Sequence, residues 1–249
     1  MKKQFLFTAV IISGILFSCK KENIETSTDN MSETAPTANS QKGGGGGSAN
    51  LNKGLLGRFE FDNNLRDTTH QLTDGTSTVG RMLFTADRHD VSNRAILFNG
   101  AYGVNISNVP CTPDGTSVSV WVRQDTLPSP GWLCAVFSSY GFIIQQSVNY
   151  FDASYYTGFL GVQPNVNSSG IDKHWHHMAA TRDNNELKFY IDGVLIGTAP
   201  TPAGAGPYPT VDNYKLGYAF DNYWKGALDD LRFYKRVLSP AEVAALATP

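Results

Sequence analysis

Between Trp175 and Gly193 the pattern of apolar and polar positions reads as a hairpin. Trp175 to Thr181 favours extended structure, and the polar run Arg182 to Asn185 supplies a turn. Leu187, Phe189 and Ile191 then alternate with Lys188, Tyr190 and Asp192, the two-residue period of a half-buried strand. Asp192-Gly193 closes that strand, because such a pair tolerates the positive φ angles of a tight turn, and Val194 to Ile196 begins another. Similar short runs predict strands near Leu55 to Phe61, Arg81 to Thr85, Ala95 to Phe98, Val104 to Ser107, Thr116 to Arg123 and Leu133 to Ser138. Others fall near Gly141 to Gln146, Gly158 to Val162, Tyr214 to Tyr218 and Ala227 to Tyr234. Only the end of the chain changes period. Ser239-Pro240-Ala241-Glu242 is a capping box with proline at the first helical position, so a short helix follows through Leu246.

The first residues follow a different logic. Lys2 and Lys3 precede an apolar run from Phe5 to Phe17, broken by Thr8, Ser13 and Gly14, which is the build of a secretory signal and too short for a spanning helix. Leu16-Phe17-Ser18-Cys19 resembles the bacterial lipobox, so residues 1–18 are read as a lipoprotein signal peptide and Cys19 as the acylated mature N-terminus. The competing reading is an ordinary signal peptide with a chance cysteine. Several acyl chains would hold a domain stably on a membrane. Lys20 to Lys53 is rich in Ser, Thr, Asn, Glu and Gly and includes the run Gly43 to Gly47, so it lacks the apolar surface to fold. As a flexible coil it is a tether on the order of 30 Å long. Lys20, Lys21 and Glu22 resemble the charged export signals of Bacteroidota lipoproteins, which implies the outer membrane and display at the cell surface. The inner periplasmic leaflet is the alternative.

Residues 54–249 are then one domain. Twenty-four glycines, twelve prolines and only 17% charged residues favour many short strands joined by tight turns over a helical bundle. A net charge of −2 gives no electrostatic case for nucleic acid.

Trp175-His176-His177-Met178-Ala179, followed by Leu187 to Gly193, resembles the central hairpin of the LamG-like, concanavalin A-type jelly rolls. Phe61-Asp62-Asn63-Asn64 with Asp67, then Ala95 to Gly100, Val118-Ser119-Val120-Trp121-Val122 and Lys225 to Tyr234, resemble further signatures of that family in the same order. The resemblance spans nearly all of Gly54 to Ala247 and implies an all-β sandwich of two antiparallel sheets with a short C-terminal helix. It also implies a module that binds a glycan or a protein.

Catalysis on such a fold would most plainly be glycoside hydrolysis, which needs two facing carboxylates. The Glu-x-Asp-x-x-Glu strand motif of laminarinase-like hydrolases is absent, and Glu60, Asp192, Asp229 and Asp230 sit at strand ends or in structural positions of the family. No enzyme is expected. His174, His176 and His177 could suggest a metal, but adjacent strand residues point to opposite faces, so structural histidines are the favoured reading. Aromatic residues outside the predicted strand cores offer the candidate ligand-binding set Trp132, Tyr150, Tyr155, Tyr156 and Tyr223. Tyr155-Tyr156 has the strongest claim to exposure, since adjacent loop residues seldom bury both rings. Trp224 is read as core.

Cys111 and Cys134 could pair in an oxidising compartment. If Thr116 to Arg123 and Leu133 to Ser138 are neighbouring strands, however, the two cysteines are too far apart. Asp67-Thr68-Thr69 and Asp125-Thr126-Leu127 resemble the O-glycosylation pattern of exported Bacteroidota proteins, which would place those turns at the surface.

A structural calcium is expected between the first and last strands. Asp229 falls on the same predicted face as Leu231 and Phe233, where a carboxylate is costly unless paired or bound to metal. Asp62, Asn64 and Asp67 offer further oxygen ligands, and the resemblance implies calcium there. A salt bridge from Arg58 or Arg66, or bonds to backbone, is the rival reading.

The sequence thus predicts a non-catalytic, lipid-anchored binding module on the outer membrane. Two functions compete: capture of a glycan for uptake or adhesion, and service as an accessory subunit of an outer-membrane protein complex.

Overall fold

The computed structural model of the protein describes residues 49–112, 114–126, 133–146, 151–155, 160–162, 173–201 and 210–249. Cys19, Trp132, Tyr150 and Tyr156 lie outside the described residues. Two antiparallel sheets make the sandwich. In spatial order the first holds β13 (Val194–Pro200), β12 (Glu186–Ile191), β11 (Trp175–Arg182), β6 (Thr116–Gln124), β17 (Lys225–Tyr234), β4 (Ala95–Asn99) and β3 (Phe84–Thr85). The opening strand β1 (Leu55–Phe59) also pairs with β17. The second sheet holds β10 (Leu160–Val162), β9 (Phe151–Tyr155), β8 (Phe142–Gln146), β7 (Leu133–Ser138), β14 (Val211–Leu216), β5 (Val104–Pro110) and β2 (Thr76–Ser77). A small hairpin of β15 (Tyr218–Ala219) and β16 (Asn222–Tyr223) projects beyond β14.

Alternation along each strand decides what is buried. Val118, Val120 and Val122 of β6 and Met178 and Ala180 of β11 face Ile106, Phe142, Ile144 and Tyr214 of the other sheet in one core. Trp224 is fully buried in it, as the sequence suggests.

On the outer face of the first sheet lies α1 (Pro240–Leu246), whose Val243 and Leu246 pack with Ala179, Tyr190 and Tyr234. Its capping box forms as expected. Ser239 Oγ accepts the Glu242 N–H, and Glu242 Oε2 accepts the Ser239 N–H at 2.9 Å. Arg236 joins both Glu242 oxygens and donates to the Lys53 carbonyl at 2.6 Å. That bond ties the turn before β1 to the domain.

Three sequence expectations change. Strand β9 is an addition: Asp152, Ala153 and Ser154 have weak β propensity, yet Phe151, Ala153 and Tyr155 keep the period of two and face the core. Strands β6 and β7 are not neighbours but belong to opposite sheets. Cys111 and Cys134 are both free, as expected: Cys111 follows β5 beside Thr210, ahead of β14, whereas Cys134 lies on β7 beyond the Val136–Leu216 pair, so the length of β14 separates them within the second sheet. Finally, a bulge interrupts β17 between Asp229 and Arg232, with Asp230 at φ 46°. The extra residue lets Leu228 and Leu231 both face the core while Asp229, opposite Trp121, turns to the outer face.

Candidate functional site

The outer face of the first sheet is covered from both ends. Helix α1 covers one end, and the loop between β3 and β4 lays Arg88 over the Trp121 ring, 5.1 Å from its centroid, at the other. Between them His177 is buried beside Trp121, its Nε2 2.8 Å from Ser119 Oγ. Desolvation lowers the His177 imidazole to about 4, so it is neutral and structural at physiological pH. His176 turns the other way, to Asp192 at 2.7 Å, and His174 is exposed at the strand entrance. Among the described residues no cluster of His, Cys, Asp or Glu suits a metal ion.

No described helix lies over the outer face of the second sheet, and this face carries rings. Phe137 of β7 and Lys215 of β14 are register partners and share that face with Cys134 and Ile143. Lys215 Nζ lies 5.9 Å from the Phe137 ring centroid and 5.1 Å from that of Tyr218, cation–π distances that hold the ammonium between two aromatic faces. Tyr218 stacks on Tyr223 with centroids 5.9 Å apart and planes inclined by 16°, and its hydroxyl donates to Asn105 Oδ1 at 2.6 Å. Phe220 meets Phe137 edge to face at 4.9 Å.

The hairpin tip explains the exposure. Phe220 and Asp221 both have positive φ, 48° and 60°, which is the type I′ turn that a two-residue hairpin loop favours. A bulky ring rarely accepts this backbone, so Phe220 sits in a strained conformation at 75% exposure. Tyr223 follows at 38% and Tyr140 at 49%. The patch therefore offers open ring faces, one fixed cation and a hydroxyl, the ingredients of stacking on a sugar or of burial in a protein partner.

Farther along the same face, Cys134, Gln145 and Asp152 are successive register partners across β7, β8 and β9. Asp152 is 2% exposed, and among the described residues neither of its carboxylate oxygens has a hydrogen-bond partner at ordinary geometry. Burial pushes its carboxyl up to about 7, with the neighbouring Gln145 opposing.

Of the aromatic set read from sequence, Tyr223 stands on this surface and Tyr155 does not. Tyr155 is 3% exposed in the core, edge to face with Phe142 at 4.9 Å and under the Arg182 guanidinium at 4.9 Å. The expectation of an exposed Tyr155 fails because it ends a strand rather than entering a loop. Phe220, Tyr218, Phe137 and Lys215 fall outside the set that sequence reasoning selects. The available signal is an aromatic residue beside Asp221-Asn222, a turn pair, between β-rich residues.

The four expected calcium ligands do not assemble. The Asp67 carboxylate accepts the N–H groups of Arg58, Thr69, Gln71 and Leu72 at 2.7 to 3.0 Å, together with the Thr69 hydroxyl. Asn64 Oδ1 accepts the Arg66 N–H, and Asp62 is exposed with Arg94 at 3.8 Å. Asp229 is taken by Arg88, a partner from a loop that no local pattern places there. The residues thus do not fit the expected metal. Thr68 and Thr126 are both at the surface.

The family model for the concanavalin A-like lectin/glucanases superfamily matches residues 98–244. The chain belongs to this superfamily. Human adhesion G-protein coupled receptor D1 is 26% identical over 194 residues, covering 74% of this chain and 22% of the receptor, so the chain spans about a fifth of that relative. Among solved structures, domain 4 of an extracellular arabinanase from Geobacillus stearothermophilus, in complex with arabinotriose, superposes with a TM-score of 0.64 and 22% identity. It covers 78% of this chain and 98% of that domain. A botulinum neurotoxin type C structure, described for its interaction with two ganglioside molecules, gives 0.65 at 14% identity over 80% of this chain and 51% of the toxin chain. At such identities the likeness to these two structures is one of fold.

Proposed function

We propose that this domain is a non-catalytic glycan-binding module, held by an acylated Cys19 on the outer membrane and displayed at the cell surface. The observation that carries the reading is the strained, open Phe220 at the tip of the Tyr218–Tyr223 hairpin, beside Lys215 and the stacked tyrosines. Rings with one free face stack on the C–H faces of sugars, and Lys215 adds a donor for ring oxygens or acidic sugars. Two structural relatives are described with arabinotriose and with gangliosides, which supports a carbohydrate over other small ligands. Hydrolysis is not favoured, because Asp152 is subject only to burial and to Gln145, with no second carboxylate acting on it across the face. A screen of the purified domain against plant, bacterial and host glycans tests the reading. Saturable binding supports it, and no binding to any polysaccharide refutes it.

The accessory-subunit reading is favoured by the same exposed rings, since protein interfaces also bury Phe and Tyr. Purification from native membranes in mild detergent separates the two: a partner in fixed ratio supports the subunit. Anchoring has its own test. Cys19→Ser should move the protein from the membrane pellet to the soluble fraction, and retention in the pellet would refute lipid attachment.

A further inference from the structure

The bulge in β17 sets two carboxylates side by side, with Asp229 at 3% and Asp230 at 5% exposure. Each adds to the cost of the other's charge, and burial raises the Asp229 carboxyl to about 7, with Arg88 opposing. Such a pair calls for positive charge, and the resemblance to LamG-like domains implies calcium. The chain supplies guanidinium groups instead. Asp230 Oδ1 accepts Arg58 Nε at 3.0 Å and Arg232 Nε at 2.9 Å, while Arg232 Nη2 reaches Asp230 Oδ2 at 2.7 Å. Arg88 Nη1 donates to Asp229 Oδ2, and its Nη2 lies 3.6 Å from Asp230.

Arg88 is also placed with care. Its loop is wound on the buried Asp87, whose Oδ1 accepts the N–H groups of His89 at 2.9 Å and Val91 at 2.8 Å. The Asp87 N–H bonds the Val91 carbonyl, and Arg94 N–H returns to Thr85 of β3 at 3.1 Å. With its guanidinium resting on Trp121, the side chain is 16% exposed and has lost most of its freedom before it meets Asp229. Five carboxylates line the cleft of about 160 Å³ beside it, and each is already engaged: Glu60 by Arg58, Asp62 by Arg94, Asp229 and Asp230 by Arg88, and Asp87 by backbone N–H groups.

We infer that Arg88 is a built-in substitute for a structural cation, clamping the β3–β4 loop onto the closing strand, so that this domain folds without calcium.

The test is thermal unfolding of the full-length protein in detergent, first in excess chelator and then in excess calcium. Equal midpoints are expected, and a midpoint that falls by several degrees in chelator overturns the inference. Arg88→Met should lower the midpoint by about 5 °C or more, because it strands a buried carboxylate. Adding Asp229→Asn to Arg88→Met should recover part of that loss, since the amide needs no counter-charge. A midpoint for Arg88→Met equal to the wild type, or no recovery in the double variant, would show that Arg88 does not do a cation's work. The chelator result requires no variant, so it stands even if Arg88→Met fails to fold.

Discussion

Phe137 and Phe220 meet edge to face at 4.9 Å, one ring 7% exposed and the other 75%. The buried ring holds the exposed one in place, so Phe220 is presented to a ligand with little freedom left to lose. Phe220→Ala with Tyr223→Ala should weaken retention on the recognised polysaccharide at least tenfold while moving the melting temperature little, because both rings are partly or largely exposed. Affinity electrophoresis and calorimetry on the same preparations check this. Unchanged retention would exclude the hairpin tip as the binding surface.

Tyr155→Ala is expected to behave in the opposite way. The ring lies in the core between Phe142 and Arg182, and removing it should cost about 3 to 5 kcal/mol by leaving a cavity and a guanidinium without its aromatic face. Urea unfolding would measure the loss directly. An Ala variant as stable as the wild type would contradict the strand assignment of Phe151–Tyr155.

Asp67 organises the turn that follows β1. Burial alone would raise its carboxyl, but the N–H groups of Arg58, Leu72 and Thr69 and the Thr69 hydroxyl prevail and hold it below the ordinary aspartate value. A depressed folded-state value contributes stability that is present above the unfolded pKa and lost as pH falls through the folded one. Asp67→Ala should therefore destabilise by roughly 2 to 4 kcal/mol at neutral pH, leaving several donors unpaired, and by less in acid. Denaturation curves at pH 7 and near pH 3 should show the gap narrowing.

Asp152 has the reverse sign. Its folded-state value, raised to about 7, lies above that of an unfolded aspartate, so its contribution is fully present in acid and is lost as pH rises through neutrality. Asp152→Asn should exceed the wild type in stability at pH 8, with the difference shrinking toward pH 4 by at most about 1.4 kcal/mol per pH unit. A difference that is independent of pH would mean that the carboxylate is solvated or paired in the folded protein.

The sequence determined the sandwich because that fold rests on periods local to the chain. The alternation in Leu187 to Ile191, the Asp192-Gly193 turn and the Ser239 to Glu242 box each act over a few residues, so each is legible in the chain alone. Tyr155 is harder to read for a related reason: with Asp152, Ala153 and Ser154 before it, propensity is weak, and only pairing with β8 and β10 makes the segment a strand. The partner of Asp229 is not written in any local pattern. One residue added at the bulge reverses the face that simple alternation assigns, and the cation it needs comes from Arg88, 141 residues away in sequence. The aromatic patch is hidden in the same way, since Phe137 is distant in sequence from Lys215 and Phe220 and becomes their neighbour only when β7 and β14 pair. Tertiary structure decided both, because side-chain contacts between strands depend on register and sheet order, which no local period encodes.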